Sequence, residues 1–461
     1  MDTKKLRQKI LDLAIRGKLV PQDPNDEPAS VLLERIKAEK EQLIKEGKIK
    51  RSKKSESTDK PHYENVPFEI PESWVWTTLG TIGKWQSGAT PSRMRKDYYG
   101  GGIPWLKTGD LNDGFITDIP ETITPLALSE TSVKLNPAGS ILIAMYGATI
   151  GKIGILTKPA TTNQACCACV SHNGVEQMYL FYFLLSYKEE FIRQGGGGAQ
   201  PNISKEKIIE TYIPLPPLCE QNRIVNEVAK WNKIIDNIES ERSDLLAIVS
   251  QIKSKILDFA ISGKLIPQNP ADEPAIELLK RINSNFIPCD NSHYEKLPNG
   301  WCVCRLEDIC QICDNKRQPI NSSERQERKK NTSNLYPYYG ATGQVDWIDD
   351  YMLDGTFILL GEDGAPFLDK NADKAYIVSG KFWVNNHAHI LYPRCNVSYL
   401  THYLNRYDYS ECVNGSTRLK LTQADMKNID IFLPPLNEQL RISQTIRNIF
   451  DSIDAITAEL Q

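Results

Sequence analysis

The first stretch whose residue types could bind a polyanion such as DNA is SGATPSRMRKDYYGGG, residues 87–102. It places Arg93, Arg95 and Lys96 close to Tyr98 and Tyr99. The cations could contact phosphates while the rings pack in a groove, and such contacts set position rather than read sequence. A solvated loop would have the same composition, so both interpretations stay open.

Other polar side chains in predicted loops and strand edges are of types that could read base edges. An Asn or Gln amide can pair with adenine through two hydrogen bonds, and Lys can reach guanine O6 and N7. The remaining candidates are Lys107, Tyr146, Lys152, Gln164 and Gln200 in the first half of the chain, and Lys316, Arg317, Arg325, Tyr339, Asn386, His387, Arg418 and Lys420 in the second half. An ordinary surface role is the alternative for each single residue.

Asn386 and His387 also have a structural alternative. In our sequence alignment of the two halves they match Asn163 and Gln164. A shared polar pair could be a turn whose side chains bond to the backbone, and we favour that interpretation for the pair.

Catalytic motifs are missing from the sequence. The Pro-Pro pairs are followed by Leu, whereas an amino-methyltransferase would need an aromatic residue there, after Asp/Asn-Pro-Pro. We find no Walker A sequence and no nuclease-like carboxylate cluster. The four glycines at 195–198 follow a predicted helix and are not followed by GK[ST]. They therefore predict a helix C-cap and loop rather than a phosphate-binding loop. We therefore expect no catalytic residues and no bound cofactor in this chain.

The cysteine residues could suggest a metal site. Four of them, Cys302, Cys304, Cys310 and Cys313, fall close together and include a CxxC pair, which a structural zinc could use. The equivalent positions in the first half are Val75, Thr77, Gly83 and Gln86. Because the same frame has no thiols there, we predict buried free thiols and no metal. The run of Cys166, Cys167 and Cys169 is interpreted as core in the same way.

A long central helix must position these candidates. Apolar residues at alternating spacings of four and three follow from Cys219 to Ile261, with Arg242 as the polar exception. This pattern predicts a heptad seam on one helix about 65 Å long. The predicted seam consists of Ile224, Val228, Trp231, Ile235, Ile238, Leu245, Val249, Ile252, Ile256 and Phe259.

The two ends of the chain repeat the two halves of that helix. LPPLNEQLRI near the end repeats LPPLCEQNRI, and KILDLAIRGKLVPQDPNDEPA near the start repeats KILDFAISGKLIPQNPADEPA. The C-terminal segment followed by the N-terminal segment therefore rebuilds nearly one copy of the central region. We predict a cyclic, pseudo-twofold molecule in which the central helix packs against a second rod made from both termini.

Between the helical regions lie two similar modules of short strands. HYENVPFEIPESWVWTTL corresponds to HYEKLPNGWCVCRL, while the interiors of the modules differ. We predict helices over about 3–16 and 28–46, strands in ESWVWTTLGTI, GSILIAM and KIGIL, and one helix in QMYLFYFLLSYKEEFIRQ. The predicted domains are residues 1–60 with a basic, Ser-rich linker, 61–218, 219–292, 293–436 and 437–461. That linker could also be an arm that contacts the phosphates of DNA.

Composition bounds the remaining possibilities. The chain has 461 residues, 25% of them charged, and a formal net charge of −3. It has no apolar run long enough for a membrane span and no signal-peptide pattern, so we expect a cytoplasmic protein with reduced thiols. The net charge does not decide for or against nucleic acid, because binding depends on local patches.

Together these motifs resemble a family, the specificity subunits of type I DNA restriction and modification enzymes. The resemblance rests on the GKLVPQDPNDEPASVLLERI and GKLIPQNPADEPAIELLKRI pair, PESWVWTTLG, the two LPPLxEQxRI segments, YYGATGQVDWIDDY and VNNHAHIL. It implies an α+β fold: two similar target-recognition domains of mixed β with helices, separated by long antiparallel coiled-coil helices in a cyclic pseudo-twofold arrangement.

The resemblance also implies partners. Each domain would read half of a split site in double-stranded DNA, with one copy of the chain per complex. Two methylation subunits using S-adenosylmethionine would dock on the helices, and restriction subunits using ATP and Mg²⁺ would join them. Two alternatives remain at this point: a stand-alone bivalent DNA-binding regulator, and a coiled-coil scaffold for protein assembly.

Overall fold

The computed structural model describes residues 2–47, 66–196, 202–288, 297–330, 332, 334–415 and 418–460. The predicted linker at 48–60 and the candidate Gln200 lie outside these residues. The chain divides into two compact units, Met1–Ser240 and Glu241–Gln461. Within the described residues, no helix combines the length and apolar character needed to cross a bilayer.

The first unit combines helices with short strands. Its helices are α1 (Thr3–Ile15), α2 (Ala29–Lys45), α3 (Leu79–Ile82), α4 (Pro125–Glu130), α5 (Gln177–Ser186), α6 (Lys188–Gly195), α7 (Lys205–Glu210) and the first half of α8 (Leu218–Ile261). Its strands are β1 (Val75–Thr78), β2 (Gly83–Ser87), β3 (Tyr99–Leu106), β4 (Gly114–Ile116), β5 (Thr122–Ile123), β6 (Ile141–Ala144), β7 (Ile153–Leu156), β8 (Thr161–Thr162), β9 (Cys166–Ser171) and β10 (Tyr212–Leu215).

Three sheets organise these strands: β2-β9-β6-β7-β4, β5-β3-β8 and the antiparallel pair β1-β10. Strands β6 and β7 are buried at every position, which explains their unbroken apolar sequences. Helix α5 is apolar on nearly all sides and is buried for most of its length. The core of this unit therefore lies between the five-stranded sheet and α5.

The second unit repeats the plan with a larger sheet. Its helices are the second half of α8, α9 (Ala275–Ile282), α10 (Leu306–Ile309), α11 (Ser322–Lys329), α12 (Val397–Arg406), α13 (Gln423–Lys427) and α14 (Leu436–Leu460). Its strands are β11 (Cys302–Arg305), β12 (Cys310–Ile312), β13 (Tyr336–Gly340), β14 (Gly343–Ile348), β15 (Leu353–Gly361), β16 (Ala375–Val384), β17 (Ala388–Pro393), β18 (Val413–Asn414), β19 (Lys420–Leu421) and β20 (Asp430–Leu433). They form a six-stranded sheet, β12-β17-β15-β16-β13-β14, and the pairs β11-β20 and β18-β19.

Some local predictions need correction. ESWVWTTLGTI is not one strand, because β1 ends at Thr78 and the turn of helix α3 follows. The single helix predicted over QMYLFYFLLSYKEEFIRQ is two helices, which meet at Tyr187. Pro28 is the N-cap of α2 rather than its first residue. The predicted end of α1 is confirmed: Gly17 follows it with φ 67°, and a Cβ there would lie 2.5 Å from Pro71 Cγ.

The heptad seam predicted on α8 is wrong at one position in the first half of the helix and at three positions in the second half. Trp231, Leu245, Ile252 and Phe259 are 37%, 38%, 46% and 42% exposed. A heptad stripe drifts by about 20° per heptad on a straight helix, which is about 100° over the whole stripe. Ile256 of the predicted seam is half-buried. A stripe of buried and half-buried positions with ordinary helical periodicity runs along the helix instead: Ile224, Val228, Ile235, Ile238, Arg242, Leu246, Val249, Lys253, Leu257 and Ala260.

Each half of α8 packs against one chain terminus inside its own unit. In the first unit, Arg7 of α1 donates hydrogen bonds to Asn232 at 3.0 Å and to Asp236 at 2.6 Å. In the second unit, Lys253 forms an ion pair with Asp454 of α14. Both contacts agree with the predicted pairing of the central helix with the two terminal segments.

The repeated EQxRI motif begins both long helices and anchors them to a tryptophan. Trp74 Nε1 donates to Glu220 at 2.9 Å, and Trp301 Nε1 donates to Glu438 at 3.1 Å. Burial raises the pKa of both carboxyl groups, while the indole bonds work to lower it. The two units therefore use the same buried bond to fix the start of a helix.

The other residues of the two repeated motifs bond to each other in the same way. Arg223 pairs with Asp26, and Arg441 pairs with Asp272, each at 2.6 Å. The Gln that follows each motif Glu accepts a backbone N–H at the start of a helix in the module: from Glu176 at 2.7 Å in the first unit and from Asn396 at 2.9 Å in the second. The repeats thus encode one joint between helix and module, built twice.

Candidate nucleic-acid interface

Three backbone hydrogen bonds bring separate loops of the first unit together. Asn163 N donates to Leu106 O at 2.9 Å, Met145 N donates to Ala165 O at 2.8 Å, and Ile203 N donates to Met145 O at 2.9 Å. These bonds join the ends of β3 and β6, the turn after β8, and the segment before α7. We call this set of bonded loops the loop frame.

The second unit contains the same loop frame. Asn385 N donates to Tyr339 O at 3.1 Å, Glu362 N donates to His387 O at 2.8 Å, and Leu421 N donates to Glu362 O at 2.7 Å. Each frame is extended by one isolated bridge, Tyr146 with Asn202 and Asp363 with Lys420. The frames therefore give a residue-by-residue correspondence between modules whose interior sequences differ.

This correspondence corrects our sequence alignment by one residue. Asn163 matches Asn385, and Gln164 matches Asn386, so Asn386 and His387 do not match Asn163 and Gln164 as the sequence suggested. The turn itself is confirmed, because the residues that follow Asn163 and Asn385 form a turn in both units. Asn385 Oδ1 accepts the His387 N–H at 2.8 Å, which holds that turn from within.

Cations of the first frame are bound to carboxylates. Arg93 and Lys107 both donate to Glu121, at 2.9 Å and 2.5 Å, and the bond from Lys107 lowers the pKa of Glu121. The Arg93 guanidinium also lies 4.6 Å from the centre of the Tyr99 ring. The structure thus brings together Arg93, a predicted phosphate ligand, and Lys107, a predicted base-edge ligand, and fixes their orientation.

The other candidates of the first unit differ in their exposure and in their bonding partners. Arg95 pairs with Asp97 at 2.6 Å, and Lys96 and Tyr146 are exposed, while Lys152 is half-buried. Gln164 is exposed at the turn and accepts a hydrogen bond from the Thr90 hydroxyl.

The second frame holds charges where the first holds neutral residues. Glu362 stands at the position of Met145 and accepts hydrogen bonds from Arg317 and Lys420. Burial works to raise the pKa of Glu362, but these two bonds keep it below its ordinary value. Asp363 next to it pairs with His387 at 2.6 Å and with Arg418 at 3.1 Å. Four predicted DNA ligands therefore converge on two carboxylates.

Beside this frame is a buried pair that sequence reasoning missed. His389 Nδ1 lies 2.6 Å from Asp314 Oδ2, and its Nε2 lies 3.0 Å from the Leu421 carbonyl oxygen. Burial would raise the pKa of Asp314, but the hydrogen bond from His389 holds it below its ordinary value. The pairing joins residues far apart in sequence, and no local pattern signals it.

Arg325 and Tyr339 are tied into the fold. The Arg325 side chain is 15% exposed and pairs with Asp346 of β14 at 2.8 Å, which holds helix α11 against that strand. Tyr339 is half-buried, with its ring 5.8 Å from that of Tyr376. Lys316 is exposed.

The four clustered cysteines of the second unit are buried thiols. Cys302, Cys304, Cys310 and Cys313 lie in the core, and burial raises the pKa of Cys310 well above its ordinary value. In the described part of the chain, no group of three or more His, Cys, Asp or Glu residues is arranged to hold a metal ion. The three cysteines of β9 are likewise buried.

Comparison with known proteins gives matches over most of the chain. The family model for the type I restriction modification DNA specificity domain matches residues 71–246 and 298–461. The type I restriction enzyme EcoAI specificity subunit of Escherichia coli is 31% identical over 66% of this chain and 62% of its own length. The EcoEI specificity subunit of the same species is 26% identical over 99% of this chain and 91% of its own length.

A solved structure shares the fold. It comes from work on complex assembly and conformational transition of the type I R-M system, and its chain matches with a TM-score of 0.56 at 18% identity. The match covers 86% of this chain and 94% of that one.

Proposed function

From the premise that the chain belongs to the type I restriction-modification DNA specificity family, as a sequence-specificity subunit, we propose that each unit reads one half of a bipartite DNA site. The observation that carries this is the loop frame, which occurs once in each unit. Its backbone bonds are the same, whereas its side chains differ, for example Met145 against Glu362 and Tyr146 against Asp363. Two units with the same backbone frame but different side chains on it are suited to recognise two different DNA sequences.

The candidate ligands would divide between phosphate and base contacts. Ion-paired cations such as Arg93, Lys107, Arg418 and Lys420 are held beside the frame, and a DNA phosphate could share them with their carboxylates. Exposed side chains at the turns and loop ends, such as Tyr146 and Gln164, are better placed to enter a groove. Lys96, Lys152 and Lys316 would add phosphate contacts.

The helices would set the distance between the readers. We propose that α8 packs against a second rod made of α14 and α1, in a pseudo-twofold arrangement that presents the two modules in opposite senses to the DNA. The 44 residues of α8 span about 66 Å at 1.5 Å per residue. Half-sites one helical turn apart, about 34–36 Å, would require the reading surfaces to lean inward.

Chemistry would belong to partner subunits. Methylation subunits would supply S-adenosylmethionine and flip the target adenine, and restriction subunits would supply ATP and Mg²⁺. This chain would contribute the choice of adenine, with one copy per complex in the cytoplasm.

Co-expression with a candidate methylation subunit, followed by methylome sequencing, tests the proposal. We expect methylated adenine in a bipartite motif that appears only when this chain is present. Exchanging residues 80–200 for those of a relative should change one half-site only. Absence of any motif, or a change in both halves, would contradict the proposal.

A further inference from the structure

The loop frame identifies one exposed position that carries the same chemistry in both units. The turn Asn is half-buried in the first unit (Asn163) and buried in the second (Asn385). Between it and the next frame bond stands one side chain, Gln164 in the first unit and Asn386 in the second, and both are exposed. The neighbouring frame positions differ: Ala165 corresponds to His387, and Asn202 corresponds to Lys420. The preceding turn position is Asn in both units, Asn163 and Asn385, and bonds within the fold, so the exposed amide after it is the recurring side chain that can reach a ligand.

The backbone turn that carries this amide is bonded internally in both units, and in the first unit the amide side chain is bonded as well. In the first unit, Cys166 N donates to Asn163 O at 3.1 Å across the turn, and Thr90 donates to Gln164 Oε1. In the second unit, the Asn385 side chain bonds inside the turn and is 9% exposed. A preorganised turn loses less conformational entropy on binding, which favours affinity.

The charged residues of the frame are less suited to selective reading. Arg93 and Lys107 share Glu121, and Arg418 and His387 share Asp363, so each is oriented by a carboxylate. The amides carry no charge and would gain little from phosphate, but an amide matches adenine by donating to N7 and accepting from N6–H. A side-chain type that recurs at one position points to a base that recurs in both half-sites.

We propose that Gln164 and Asn386 are specificity-determining residues that each read one adenine in their own half-site. This inference rests on the proposed function. The differing positions around them, including Tyr146 and Asp363, then account for the bases in which the half-sites differ.

Methylome sequencing of single variants, each co-expressed with the methylation subunit, tests the inference. Gln164→Ala should relax one adenine position of the first half-site by about tenfold to a hundredfold, and Asn386→Ala should do the same in the second half-site only. Asn386→Gln should keep the preference for adenine. Lys84→Ala and Gln311→Ala are matched controls, because both are exposed at corresponding positions of β2 and β12, and neither should alter the motif.

A binding measurement with the wild-type complex needs no folded variant. Replacing each adenine of the site in turn by 7-deazaadenine removes the N7 acceptor, and one position in each half-site should lose affinity by about tenfold or more. Gln164→Ala should show no further loss at its position. If the wild-type complex tolerates every 7-deazaadenine, or if the Ala variants keep full adenine preference, the inference is wrong. A wild-type complex that gives no bipartite motif would instead contradict the proposed function.

Discussion

Removing the indole N–H of Trp301 would test whether the repeated tryptophan–glutamate bond anchors each unit. Glu438 is only 1% exposed. In Trp301→Phe it keeps the hydrogen bond from the Gln268 side chain, which is long at 3.4 Å. Losing a hydrogen bond to a charged group costs about 1.5–3 kcal/mol, and the smaller ring adds about 1 kcal/mol of lost packing. We expect the second unit to lose about 3 kcal/mol of unfolding free energy.

The matched substitution in the first unit should cost less. Trp74→Phe leaves Glu220 with a hydrogen bond from Gln22 at 2.6 Å, which is much shorter than the corresponding bond in the second unit. Because the carboxylate keeps a good donor, we expect a cost about 1 kcal/mol smaller. The difference between the two variants is therefore a prediction from geometry alone.

The cost should also depend on pH. Burial raises the pKa of Glu438, so its contribution to stability is fully present below the unfolded pKa of about 4.3 and is lost as pH rises through the folded value. Trp301→Phe removes a donor that lowers this pKa and so raises it further. The gap between the wild type and the variant should therefore widen as pH rises above about 4.

Hydrogen exchange measured by mass spectrometry resolves the units separately. Peptides from β11 and the start of α14 should exchange faster in Trp301→Phe than in the wild type, by a ratio that grows with pH and reaches about a hundredfold, while peptides of the first unit stay unchanged. Trp383→Phe is the control, because its indole donates to the neutral Gln318 carbonyl oxygen at 2.7 Å and its cost should not vary with pH. A pH-independent effect of Trp301→Phe, or one below about 0.5 kcal/mol, would refute the reasoning.

Three further predictions concern other parts of the chain. Asp346→Asn should loosen α11. Burial opposes ionisation of Asp346, but bonds from Lys329 and Arg325 hold its pKa at about 2. In thermal melts the wild type should therefore show this stabilisation above about pH 4 and lose it toward about pH 2, whereas the variant should lack it at every pH. Gly88→Ala should abolish reading of the first half-site in methylome sequencing, because a Cβ would lie 2.2 Å from the Thr162 carbonyl oxygen, whereas Gly109→Ala meets nothing within 4 Å and should be silent. Seven residues inserted into α8 and seven into its proposed partner rod should lengthen the spacer between the two half-sites by about three base pairs. An unchanged spacer would contradict the proposal that the helices set the distance between the half-sites.

The candidate site was only partly predictable. Residue type and loop position selected Gln164 and Asn386 from the sequence, but alignment of the divergent interiors paired them incorrectly. The correct pairing came from backbone bonds such as Asn385 N to Tyr339 O, which join residues far apart in the chain. Likewise, nothing near Lys107 in sequence announces that it shares Glu121 with Arg93.

By itself, the sequence determined the two modules, the permuted repeat, the long central helix and the resemblance to a family, because repeats and helical periodicity are local patterns. Only the tertiary structure decided which face of α8 is buried, since spacings of 3.5 and 3.6 residues separate only over several turns. It also decided which cations face carboxylates and placed His389 against Asp314. Those outcomes depend on packing between distant segments, and no window of neighbouring residues contains that information.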